Sequence, residues 1–78
     1  MDCVTETVSL LRRQAELELQ LLNNPATAVA TERELAKLVH RLEAHPHALN
    51  AVLQTARALR RTPDAVTAQD VEAWNPAL

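Results

Sequence analysis

The sequence has no glycine, isoleucine, phenylalanine or tyrosine, and it has one cysteine and one tryptophan. Without glycine, the chain cannot form the glycine-rich phosphate loop, the dinucleotide-binding turn or the nucleophile elbow of several enzyme classes. Hairpin turns that need positive φ are also hard to build, which disfavours a β-sheet protein. A single cysteine allows neither an internal disulfide nor a cysteine-based zinc site, and it is typical of a reducing compartment. We therefore expect a cytoplasmic protein that is not an enzyme.

Long apolar runs are missing as well. No stretch approaches the roughly 18 apolar residues that span a bilayer. Asp2 and Glu6 stand where a secretory signal would carry basic residues. The formal net charge is −2, so no overall positive field attracts the chain to nucleic acids or to membranes. We expect no membrane partner.

The abundant residues favour helices. The 78 residues include 14 Ala and 13 Leu, which are among the strongest helix formers. Four prolines, at positions 25, 46, 63 and 76, divide the chain. The pattern predicts one all-α domain, a small bundle of three main helices and a short C-terminal helix, at about residues 4–22, 31–44, 46–61 and 67–74. Thr31 with Glu34, and Thr67 with Asp70, match the capping box that starts a helix.

The first predicted helix has a wide apolar arc. At 100° per residue it carries two apolar stripes, roughly 120° apart. The first stripe consists of Val4, Val8, Leu11, Ala15, Leu19 and Leu22, and the second of Leu10, Leu17 and Leu21. Such an arc needs neighbours on two sides, and a chain this short buries only about 60% of its unfolded surface. We therefore predict a homodimer, or contact with another protein, through Leu10, Leu17 and Leu21.

Trp74 is the only aromatic residue. A tryptophan buries a large area when it packs in a core, and the same residue type is enriched at interaction hot spots. We expect Trp74 to pack the last helix onto the core, with a role as an interface anchor as the alternative.

A short basic cluster, Arg57, Arg60 and Arg61, lies at the end of the third predicted helix. In a dimer, Arg12 and Arg13 could extend it into a patch that contacts DNA phosphates. The same cations could instead complement the dipole at the helix C-terminus, or pair with the acidic residues that follow. The alternative function is therefore a small dimeric DNA-binding transcriptional regulator.

The side chains that could ligate a metal are few. His40, His45 and His47 lack the helical spacing of a His-Glu-x-x-His site, and Cys3 is far from them in sequence. We expect surface histidines, no metal site and no cofactor. The main prediction is a non-catalytic protein–protein interaction module, such as a small adaptor, chaperone-like or regulatory subunit, that homodimerises through an apolar helix face.

Overall fold

The computed structural model describes residues 3–74, which form four α-helices and two single turns of 3₁₀-helix. The helices are α1 (Cys3–Asn23), α2 (Ala28–Glu43), α3 (Pro46–Leu59) and α4 (Ala68–Trp74). The 3₁₀ turns, Pro25–Thr27 and Pro63–Ala65, follow α1 and α3. No strand occurs among these residues, so the predicted all-α bundle is confirmed. The fourth proline, Pro76, lies outside the described residues.

α1 is the central helix, because every other element packs against it. α2 returns antiparallel along α1, since ion pairs join Glu6 to Arg41 at one end and Arg13 to Glu34 further along. α3 runs parallel to α1: the first turns of both helices line one groove, and the 3₁₀ turn after α3 packs along the second half of α1. The resulting bundle is elongated, with extents of 44 × 24 × 16 Å.

The core lies between α1 and its neighbours, and it is built from small aliphatic side chains. Val52, Val66 and Val71 are fully buried, and Leu17 is 2% exposed. The same cluster also contains Val8, Leu10, Leu11, Leu38, Leu42, Ala51 and Ala56. Leucine, valine and alanine thus fill this core without an aromatic residue. The packing of complementary aliphatic shapes, rather than one large side chain, holds the helices together.

α2 begins three residues earlier than its predicted start at Thr31. The 3₁₀ turn ends at Thr27 and the helix continues directly from Ala28, so Thr31 lies inside the first turns of α2 and is 2% exposed. Glu34 does not return to a backbone N–H of a helix start; its carboxylate accepts a hydrogen bond from Arg13 at 3.3 Å. The predicted capping box at this position is therefore wrong, because tertiary packing buries the threonine.

The predicted capping box at α4 is confirmed. The backbone N–H of Thr67 donates to Asp70 Oδ2 at 3.0 Å, and the N–H of Asp70 donates to Thr67 Oγ1 at 3.1 Å. These two bonds satisfy amide groups that a helix start leaves without partners. The bond from the Thr67 amide, together with the other groups around the carboxylate, lowers the pKa of Asp70 below its ordinary value of 3.8.

α3 ends at Leu59, two residues before its predicted end. Arg60 adopts the left-handed conformation, with φ 55° and ψ 44°. The N–H of Arg61 donates to the carbonyl of Ala56 at 2.9 Å, and the N–H of Arg60 to the carbonyl of Arg57 at 3.3 Å. This is the Schellman arrangement that glycine usually closes, and in a chain without glycine an arginine takes the position.

Candidate interaction surface

The second stripe of α1 is covered from within the chain. Leu10 and Leu17 are 7% and 2% exposed and pack where α1 meets Leu38 of α2, while Leu21 is half-buried. On the opposite flank, Leu11 is buried on the side that faces α3. The two neighbours that the wide arc requires are therefore elements of the same chain. This corrects the predicted contact surface, because Leu10 and Leu17 offer no area to a second molecule.

The first stripe nevertheless emerges into solvent at the end of α1. Leu19 is 59% exposed and Leu22 is 80% exposed, although both continue the stripe that is buried at Leu11. α1 has 21 residues and α3 has 14, a difference of about 10 Å at the helical rise of 1.5 Å per residue. Because both helices start at the same end of the bundle, α3 and the turn behind it leave the last turns of α1 uncovered.

The end of α1, the first 3₁₀ turn and the start of α2 together form a hairpin tip, residues 19–31. None of these 13 residues is charged, and all but three of them are exposed. Val29, which is 66% exposed, adds an apolar side chain on the α2 side. The polar side chains of the tip are neutral amides and hydroxyls, from Gln20, Asn23, Asn24, Thr27 and Thr31. Residues 19–31 therefore supply exposed apolar and neutral polar side chains but no charge, although Leu19 also lines a depression with Arg12, Glu16 and Asp64.

Sequence reasoning missed this surface although a signal was present. The periodicity placed Leu19 and Leu22 on the first stripe, but it could not show where the covering elements end. The second signal is the absence of charge over residues 19–31, in a chain of which 23% is charged. A helix end and turn without any charged side chain is unusual for a solvated hairpin.

Trp74 does not enter the core. Its side chain is 55% exposed and lines a shallow depression with Gln54, Thr55 and Ala58 of α3. Val71, three residues earlier in α4, is fully buried in its place. The expectation that Trp74 packs the last helix onto the core is therefore wrong, because the smaller valine fills that position. An interface role for Trp74 stays a prediction.

Two of the five arginines singled out for phosphate contact are engaged with carboxylates. Arg13 pairs with Glu16 at 3.1 Å and with Glu34 at 3.3 Å. Arg61 pairs with Asp70 at 3.2 Å. The side chains of these pairs remain largely accessible to solvent, so the pairs contribute little to stability. These pairs matter more for nucleic-acid binding, because a carboxylate beside a guanidinium weakens its attraction to a phosphate.

The other three arginines, Arg12, Arg57 and Arg60, are exposed and form no ion pair among the described residues. Arg12 lines a depression on α1 that also contains Asp64. Arg60 is the left-handed residue that ends α3, so its backbone already has a structural role. DNA contact through this set remains a prediction that no distance in the structure favours.

One histidine has a defined charged partner. His45 Nε2 lies 3.2 Å from Glu6 Oε2, and Arg41 donates to Glu6 Oε1 at 2.8 Å. Chiefly because of the hydrogen bond from Arg41, the pKa of Glu6 lies below its ordinary value of 4.5. The cluster joins the start of α1 to the corner between α2 and α3, while His40 and His47 are exposed. These contacts hold the start of α1 against the end of α2.

A groove of about 400 Å³ lies at the end of the bundle opposite the hairpin tip, where Cys3, His47 and Glu72 line it together with alanine and valine side chains. No group of three or more side chains in residues 3–74 could hold a metal ion. Over the same residues, no helix combines the length and the apolar character required to cross a bilayer. Comparisons with protein-family models, curated proteins and solved structures found no match for this chain.

Proposed function

We propose that this chain is a non-catalytic protein–protein interaction module whose contact surface is the hairpin tip. One observation carries the proposal: the apolar stripe of α1 continues beyond the elements that cover it, leaving Leu19 and Leu22 at 59% and 80% exposure. Where an apolar stripe is buried along most of a helix and exposed at its end, the exposed part is typical of a protein–protein contact surface.

The energetics support a contact at this place. Fully burying a leucine side chain contributes about 1.5–3 kcal/mol, so covering Leu19 and Leu22 together would supply a few kcal/mol. The tip needs no charged partner, because none of residues 19–31 carries a charge. Binding there would therefore depend mainly on apolar contact and would respond weakly to salt.

The remaining features agree with an adaptor or a regulatory subunit. A chain without glycine lacks the loops on which several enzyme classes depend. Its single cysteine is typical of a reducing compartment, and we place the module in the cytoplasm on that ground.

The test is the capture of proteins from a cell extract by the immobilised wild-type chain and by an immobilised variant carrying Leu19→Gln and Leu22→Gln. Val39→Gln serves as the matched control, because Val39 is also exposed, at 37%, but lies on α2 outside the tip. Bound proteins are identified by mass spectrometry and must be displaced by the free wild-type chain. We expect the double variant to lose the competed proteins and the control to retain them. Equal retention by both variants would refute the proposal.

A further inference from the structure

The hairpin tip also indicates which partner fits it, and this inference rests on the function proposed above. We propose that the tip binds the tip of a second copy of the chain in a twofold-symmetric, end-to-end dimer. In such a contact each residue faces residues of an identical surface. The surface must therefore be compatible with itself in shape, charge and hydrogen bonding.

Charge is the first argument for a second copy. Close to the axis of a twofold contact each side chain faces its own counterpart, so a charge there meets the same charge, and like charges at an interface oppose binding. Residues 19–31 contain no charged side chain, so no charge of the tip itself opposes contact with a second tip. The nearest charged residues in sequence are Glu18 on α1 and Glu32 on α2, and the charged side chains that line a depression with Leu19, from Arg12, Glu16 and Asp64, lie on its inner side, outside residues 19–31.

Hydrogen bonding is the second argument. The polar groups of the tip include the amides of Gln20, Asn23 and Asn24. A side-chain amide both donates and accepts, so each can pair with the same amide of another copy across the symmetry axis. A tip with carboxylates or guanidinium groups would need a different, complementary surface. Neutral amides around exposed leucines make the tip complementary to itself.

The available area is the third argument. All but three of residues 19–31 are exposed, and the apolar side chains of Leu19, Val29 and Leu22 are 59%, 66% and 80% exposed. Specific interfaces bury about 800 Å² on each partner. A contact confined to one end of a bundle whose shorter extents are 24 and 16 Å is smaller than this, so the tip suits a weak dimer that forms as concentration rises.

The experiment introduces opposite charges at one tip position. Asn23 is exposed at the end of α1, so Asn23→Asp and Asn23→Lys each add the same charge to both tips of a homodimer. The mass of each protein is followed by sedimentation equilibrium over a range of concentrations. Asn50→Asp and Asn50→Lys are the matched controls, because Asn50 is an exposed asparagine on α3. Circular dichroism verifies that every variant is folded.

We expect the wild-type mass to rise from 8.6 kDa towards twice that value as concentration increases. Each Asn23 variant alone should show a dimer dissociation constant at least about 10-fold higher than the wild type, because both tips then carry the same charge. An equimolar mixture of the two should recover association, whereas mixing the Asn50 variants should change nothing. A wild-type monomer at all concentrations, or a dimer that ignores both Asn23 changes, would overturn the inference. Neither result decides the proposed function, which the capture experiment tests independently.

Discussion

The loss of stability caused by Leu17→Ala distinguishes a role of Leu17 in the core of the single chain from a role in an interface. Leu17 is 2% exposed and belongs to the cluster between α1 and α2, so Leu17→Ala removes buried methyl groups and leaves a cavity. Leucine-to-alanine changes in cores cost about 2–5 kcal/mol, and we expect about 3 kcal/mol here. A chain of 78 residues has a total stability of about 4–12 kcal/mol. The variant should therefore still fold, with about 1–9 kcal/mol of stability remaining.

The assay is urea unfolding followed by circular dichroism at two protein concentrations. Leu22→Ala is the matched control, because Leu22 is 80% exposed, and its effect on the monomer should stay within about 0.5 kcal/mol. At concentrations where the chain is monomeric, the loss caused by Leu17→Ala should not depend on concentration. A loss below about 1 kcal/mol, or a loss that appears only where the protein self-associates, would refute the assignment of Leu17 to the single-chain core.

Three further predictions concern the arginines and the cap of α4. Arg60→Gly should raise the free energy of unfolding by up to about 1 kcal/mol, because glycine adopts the left-handed conformation without the Cβ penalty. The control Arg57→Gly, inside α3, should lower the free energy of unfolding by about as much. An Arg57→Gly variant more stable than the wild type would contradict this reasoning. The lowered pKa of Asp70 means that its charge stabilises the fold above pH 3.8 and that this contribution disappears as the pH falls through the folded pKa. The difference in urea midpoint between the wild type and Asp70→Asn should therefore be constant near neutral pH and vanish in acid, and a difference that persists in acid would oppose it. Fluorescence anisotropy should detect no binding to duplex DNA at low salt; binding that weakens with salt and is lost in Arg57→Ala with Arg60→Ala would instead favour the regulator alternative.

The helices could be predicted where local chemistry dominates. Pro46 lacks an N–H and begins α3 as predicted. The pair Thr67 and Asp70 forms its reciprocal cap because Thr67 is exposed and Asp70 Oδ2 reaches the backbone N–H while it also accepts from Arg61. Thr31 and Glu34 have the same spacing, yet tertiary contacts bury the threonine and direct the glutamate to another helix. A local pattern is therefore reliable only where packing does not compete for its side chains.

The surface could be predicted only in part, because its position depends on relative helix lengths. Periodicity alone identifies both stripes of α1, but it does not distinguish a neighbouring helix of the same chain from a second molecule. α2 covers Leu17, whereas α3 is too short to cover Leu22. Trp74 shows the same limit, since residue type suggested burial and the small valine three residues earlier took the core position.

The most direct test of the interaction surface is the solution mass of the wild type and of Leu22→Glu, measured by light scattering from tens of micromolar to about 1 mM, a range that covers weak association. Leu22 is 80% exposed in the single chain, so the substitution leaves the bundle intact and places a charge in the uncharged tip. We predict that the wild type rises from 8.6 kDa towards the dimer mass while Leu22→Glu stays at 8.6 kDa. A wild type that remains monomeric, or a variant that associates equally well, would contradict the account of self-association through the tip.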